Sequence, residues 1–151
     1  MKVNIALLTV TDTRTFDNDK SGAILVDKIK KSNHNLLDRK LCKDNKDEIV
    51  LILKEWLKNE KIDAIITTGG TGLTGRDITP EALDEIADKH IPGFGEMFRN
   101  VSIKTVGTSA IQSRACAVLS NGKYIFALPG SSGGVTDAWE GILKHQLDIN
   151  H

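Results

Sequence analysis

The chain is short of cysteine: Cys42 and Cys116 are the two it has. They stand far apart, without CxxC spacing, which excludes a disulfide framework or a cysteine zinc site and predicts two buried free thiols in a reducing compartment. Excess charge is missing too. Lys plus Arg and Asp plus Glu both number 20, so no global basic field favours nucleic acid and no polybasic block favours a membrane surface. No apolar run approaches the ~18 residues of a membrane span, and the start, MKVNIALLTVT, lacks the charged n-region and small-residue cleavage site of a secretory leader. His34, His90, His145 and His151 show no ligand spacing, which argues against zinc. Linkers, low-complexity tracts, internal repeats, a GxSxG elbow and a Cys–His pair are all lacking. A chain of 151 residues is then expected to be one soluble cytoplasmic domain, 1–151, able to bury about two-thirds of its extended surface.

What is present alternates strand with helix. Val3 to Val10 is a near-continuous apolar run, as in a strand buried on both faces. Ile24, Leu25 and Ile29 mark one face of a helix over 22–31, and 36–41 reads as a short strand. Ile49, Leu53, Trp56 and Leu57 recur at helical spacing over 45–59, behind Asp44 or Asn45 as cap. Residues 62–68 and 123–128 read as buried strands, and Thr79-Pro80-Glu81 as a helix start with Thr79 as cap. Further helices are expected over 91–102 and 109–119, and a last one on Val135, Ala138, Trp139, Ile142, Leu143 and Leu147. Trp56 and Trp139 are expected in the core. Alternating βα units with buried strands predict an α/β fold: a mostly parallel sheet covered by helices on both faces.

In such sheets ligands bind beyond the carboxyl ends of the strands. That rule selects three loops, 11–22, 67–77 and 129–134, all rich in Gly, Ser, Thr and Asp. The central loop places Gly69, Gly70, Gly72 and Gly75 within seven residues, more than a tight turn needs. Such a loop suits backbone N–H groups approaching an anion beside a helix N-terminus. Its literal GxGxxG at Gly70, Gly72 and Gly75 follows a late strand rather than the first one of a βαβ unit, so a dinucleotide fingerprint is rejected. No GK[ST] follows either, so neither is it a Walker A loop. Asp77 adjoins this loop. A carboxylate there either caps the helix or, through a bridging Mg²⁺, helps to hold phosphate. The turn Leu128–Gly134, LPGSSGG, is a second glycine-rich strand end, where Ser131 or Ser132 either caps a helix or donates to a ligand.

The blocks TGGTGLTGRDITPEA, IPGFGEMFR, TSAIQSRA and ALPGSSGG, together with VTDTR…DKSG near the start, resemble the molybdopterin-binding proteins of the MogA/MoaB type over essentially the whole chain. The central loop and short C-terminus look MoaB-like. The resemblance implies a three-layer αβα sandwich of the molybdopterin-binding-domain kind, a homotrimer or homohexamer, and contact with the molybdenum-inserting enzyme of the pathway. The activity it implies is adenylylation of molybdopterin by ATP with Mg²⁺, releasing pyrophosphate. Residue by residue, Asp44 and Asp77 match the family's two acidic positions, with catalytic and Mg²⁺-holding roles. Gly69, Gly70, Thr71 and Gly72, and Pro129, Gly130 and Ser131, match its ligand-binding loops, and Thr11, Asp12 and Ser21 its first loop. A non-catalytic molybdopterin carrier or scaffold is the alternative; a nucleotide-binding protein of unrelated pathway is a third reading.

Overall fold

The structure, a computed structural model, describes residues 2–148 and 150; Met1, Ile149 and His151, which the sequence reading includes in its domain span, lie outside the described residues. The apolar runs become strands β1 (Asn4–Val10), β3 (Ala64–Thr68) and β6 (Lys123–Leu128), and the short strand expected over 36–41 becomes the half-exposed β2 (Asn35–Cys42). Between them run α1 (Lys20–Lys31), α2 (Lys46–Lys58), α3 (Thr79–Ile86), α4 (Pro92–Val106) and α5 (Ser132–Ala138). A π-helical turn (Trp139–Leu143) and α6 (Lys144–Gln146) continue α5. With β4 (Lys89–His90) and β5 (Cys116–Ser120) the strands form one sheet in the order β2-β1-β3-β6-β5-β4. The first four are mutually parallel.

Alternation along each strand builds two cores. Ile5, Leu7, Ala64, Ile66, Phe126 and Leu128 pack under α1, α4 and the last helix. Ala6, Leu8, Ile65, Ile125 and Ala127 pack under α2 and α3. This period of two places helices on both faces and makes three layers, as expected. Trp56 and Trp139 are both core residues, and the Trp56 Nε1–H finds Asp38 at 2.9 Å. Asn45, not Asp44, caps α2, accepting from the Glu48 amide. That leaves the Asp44 carboxylate free of capping.

Two expectations fail. The helix expected over 109–119 is instead a 3-10 helix (Gly107–Gln112) followed by strand β5 (Cys116–Ser120). β5 lies antiparallel between β6 and the two-residue β4 (Lys89–His90). Gly107, at φ 63°, ends α4, and Ala117 and Val118 are drawn into the sheet by pairing with β6. Tertiary pairing overrides the alanine-rich local preference for helix. Nor does Thr79 cap α3: its hydroxyl donates to the Gly69 carbonyl at 2.9 Å, and α3 has no side-chain cap.

Cys42 and Cys116 are free and half-buried. Burial, aided by nearby carboxylates, pushes the Cys42 thiol up to about 12 and the Cys116 thiol up to about 11. Thiolate, not thiol, is the nucleophile, so the native protein at pH 8 is expected to react with iodoacetamide about a hundredfold more slowly than a free thiol. Rapid alkylation of either in the folded protein would contradict this.

Candidate functional site

Register levels the carboxyl ends of the parallel strands. Val10 pairs with Cys42, Thr9 with Thr68 and Thr68 with Leu128. β1 has β2 on one side and β3 on the other, so the strand order reverses there and leaves a crevice beyond their ends. A cavity of about 790 Å³ opens at that place. Thr11, Asp12, Ser21, Asp44, Gly69, Gly70, Thr71, Gly72, Asp77, Pro129, Gly130 and Ser131 all line it. The three loops singled out by residue type therefore meet in space.

The central loop is held from below and from the side. Gly69, at φ 99°, turns so tightly over β1 that a Cβ there would stand 2.2 Å from the Val10 carbonyl oxygen. Its amide donates to Leu128 O at 2.9 Å, and the Thr79 amide is used on Gly70 O. The first amide of α3 is thus spent inside the loop. Among the described residues the amides of Gly70 and Thr71 have no protein partner, and both residues line the cavity. These are the donors the loop has left for an anion.

Four carboxylates line the cleft, and three of them, Asp12, Asp44 and Asp77, stand on its loops. The Arg76 guanidinium grips Asp12 with two bonds of 3.0 Å, and that contact holds the Asp12 carboxyl below its ordinary value. Asp12 Oδ1 also accepts from the Asp44 amide at 3.1 Å, so one side chain ties the first loop, the β2–α2 loop and the central loop together. Asp44 makes no ion pair among the described residues: desolvation first, then the charges of Asp12 and Asp77, push its carboxyl up, and the nearby Arg76 charge offsets this only in part. Its Oδ1 lies 3.2 Å from where a Cβ at Gly70 would stand. Asp77 is different. Desolvation alone would raise it, yet the hydroxyl and amide of Thr74, the Gly72 amide and the charge of Arg114 together hold it low. Its Oδ2 accepts from Thr74 Oγ1 at 2.7 Å and Thr74 N at 2.9 Å. Asp77 caps the turn as well as lining the cleft.

The other strand end behaves similarly. Ser131 caps α5, accepting from the Gly134 amide at 3.0 Å. The Thr68 hydroxyl donates to Pro129 O at 2.7 Å and lies 3.4 Å from Ser21 Oγ.

Two organising residues were missed by the sequence reading. Arg114 reaches 42 residues back: its Nε donates to Gly72 O at 2.8 Å and its Nη2 to Asp77 O at 3.1 Å, while Nη1 binds Glu81 and its own amide donates to Thr71 O. It clamps the outer half of the central loop. It stands in the block TSAIQSRA that carries the resemblance, but a lone arginine after a serine has no spacing signature that assigns it a role. Asp19 is 1% exposed and accepts from Thr9 Oγ1 at 2.6 Å, the Gly22 amide at 3.0 Å and Arg39 Nη2 at 3.1 Å. It fixes the first loop and caps α1; an aspartate just before a helix start is the signal that could have found it.

Among the described residues no three His, Cys, Asp or Glu side chains gather closely enough to hold a metal ion by themselves. A cation here would take protein oxygen from one or two of the aspartates and the remainder from phosphate and water, which is the habit of Mg²⁺. The donor chemistry, with Asp44 in no ion pair among the described residues, fits that ion.

The model of the family described as a probable molybdopterin binding domain matches residues 6–148. Molybdenum cofactor biosynthesis protein B of Staphylococcus aureus (strain MRSA252) is 45% identical over 149 residues, 97% of this chain and 88% of that protein. The crystal structure of a molybdenum cofactor biosynthesis protein B superposes with a TM-score of 0.94 at 38% identity, covering 97% of this chain and 92% of that one. The tungsten cofactor synthesizing protein MoaB from Pyrococcus furiosus does so with a TM-score of 0.83 at 34% identity, over 92% of this chain and 89% of that one.

Proposed function

The chain belongs to the molybdopterin-binding domain family of the MogA/MoaB type, and from that premise we propose that it acts in molybdenum cofactor biosynthesis as a Mg²⁺- and ATP-dependent molybdopterin adenylyltransferase. The observation that carries the reading is the cleft itself. Unengaged amides at Gly70 and Thr71 stand beside three carboxylates at the switch point of the sheet. Amides alone suit an anion and carboxylates alone repel one; the two together suit a phosphate that arrives with a divalent cation.

In this reaction a terminal phosphate oxygen of molybdopterin forms a bond to the α-phosphorus of ATP. The bond from that phosphorus to the β-phosphate bridging oxygen breaks, and pyrophosphate leaves. Two anionic substrates must be brought together, so the protein's task is positioning and charge neutralisation rather than proton abstraction. Gly70 and Thr71 would donate amides to phosphate oxygens. Asp44 and Asp77 would hold Mg²⁺, which offsets the phosphate charge. Arg76, engaged with Asp12 at the rim, keeps the first and central loops in register. The hydroxyl-lined end near Ser21, Thr68 and Pro129 is left for the remainder of the ligands.

A non-catalytic molybdopterin carrier is the second reading, favoured by the capping of Asp77 within its own turn. The two part on the product. Incubation with molybdopterin and Mg²⁺·ATP is expected to yield a pterin heavier by one adenylyl group; recovery of unmodified pterin bound to the protein would favour the carrier. A cytoplasmic setting goes with either role, and among the described residues no helix is long and apolar enough to cross a membrane. The expected homotrimer or homohexamer and contact with the molybdenum-inserting enzyme are part of the same proposal. Met97, Ile103 and Val106 of α4, each more than half exposed, support association.

A further inference from the structure

The cleft has a second wall that the phosphate chemistry leaves unused. It is built from α4, the 3-10 helix and α5, and presents Phe98, Ser102, Thr105, Ala110 and Asp137 to the cavity. Among the described lining residues the single cation is Arg14, on the β1 loop, and none stands on this wall. Asp137 is its one charge. A phosphate placed there would meet a carboxylate with no counter-ion, so this wall is unsuited to the phosphate end of either substrate. It suits a planar, neutral heterocycle: an apolar floor from Phe98 and Ala110, both almost wholly buried, small hydroxyls, and one carboxylate to read a donor edge.

The carboxylate is pre-oriented. The Thr105 hydroxyl, on α4, donates to Asp137 Oδ2, on α5, at 2.7 Å, while Oδ1 makes no hydrogen bond among the described residues. A carboxylate with two acceptor oxygens in one plane matches two adjacent N–H donors. Of the two rings in the proposed reaction, the 2-amino-4-oxo pyrimidine edge of a pterin offers that pair, at N3 and the 2-amino group. Adenine sets its one amino donor between ring acceptors, which a carboxylate repels.

Resting on the adenylyltransferase reading, we propose that Asp137 is a specificity-determining residue that takes the amino-oxo edge of the pterin, with Thr105 positioning it, and that adenine binds away from this wall. The pterin then lies along α4 and α5, with its phosphate reaching toward Gly70 and Thr71.

The test uses three probes with the full chain: a pterin bearing a 6-hydroxymethyl phosphate, its 2-oxo counterpart (a lumazine), and Mg²⁺·ATP, each titrated calorimetrically. Wild type is expected to prefer pterin over lumazine. Asp137→Asn is expected to weaken pterin binding between about tenfold and a hundredfold, as for loss of hydrogen bonds to a charged group, to erase the preference over lumazine, and to leave ATP binding unchanged. Thr105→Val, which keeps the carboxylate but frees it, is expected to reduce the preference to a smaller degree; it guards against a folding defect in the first variant, because a merely structural tie between helices would not alter pterin-to-lumazine discrimination. Discrimination that survives Asp137→Asn, or a loss of ATP affinity in place of pterin affinity, overturns the assignment. A wild type that binds ATP but neither pteridine overturns the functional reading itself and the assignment with it.

Discussion

Gly69→Ala is expected to unfold the protein or lower its stability by about 2–6 kcal/mol, a large part of a small domain's margin. Two costs combine. The residue sits at φ 99°, a conformation that costs an L-residue roughly 1–3 kcal/mol. The added methyl would also stand 2.2 Å from the Val10 carbonyl oxygen, and backbone on both sides leaves no flexible atom to yield, so overpacking adds about 1–3 kcal/mol. Gly75→Ala is the control. A Cβ there meets nothing within 4 Å and its φ is not positive, so it is expected to be neutral or to stabilise by about 0.4–1 kcal/mol through the unfolded chain. Urea unfolding of the pair separates the accounts: equal midpoints would show that the loop's glycines serve something other than packing.

Asp77→Asn is expected to cost about a hundredfold or more in turnover, the scale of losing a preorganised charge contact, with a global stability loss of only about 1 kcal/mol. An asparagine keeps one carbonyl for the Thr74 amide and hydroxyl that Asp77 Oδ2 now accepts from. Its amide group would then face the Gly72 N–H, donor against donor, where the carboxylate accepts. The turn is expected to loosen, visible as faster amide exchange at Gly72 and Thr74, while Arg114 still pins the Gly72 and Asp77 carbonyls. Loss of activity with unchanged exchange would mean that the carboxylate acts on the ligands alone. A collapse of the whole fold would assign Asp77 to structure.

Three of the four parallel strands were legible because burial leaves runs such as Asn4–Val10 and Ala64–Thr68 without charged residues, while the half-exposed β2, with Asp38, Arg39 and Lys40 in it, was legible only as a short strand between two helices. The loops at their carboxyl ends were legible because glycine, serine and aspartate have no use in a core. β5 was not. Its five residues set Cys116, Ala117 and Ser120 beside Val118 and Leu119, and only pairing with β6 and β4, which no local pattern reveals, makes them a strand. The helix expected over 91–102 runs on to Val106, where Gly107, at positive φ, ends it. Arg114 acts through contacts between segments distant in the chain, so its role required coordinates; Asp19 offered a capping signal before α1, but not its reach to Thr9 and Arg39. Asp44 was named for its place before α2, but its lack of an ion pair among the described residues, against the paired Asp12 and the capped Asp77, is a property of three loops meeting.

The central claim is that the cleft joins an adenylyl group to a phosphorylated pterin with Asp44 at its centre. Pyrophosphate release from ATP and Mg²⁺, followed with and without molybdopterin for wild type beside Asp44→Ala, tests it most directly. The account predicts release by wild type only when molybdopterin is present, and a rate at least about a hundredfold lower in the variant with pterin binding retained. Pterin bound tightly by wild type without any pyrophosphate release would contradict it.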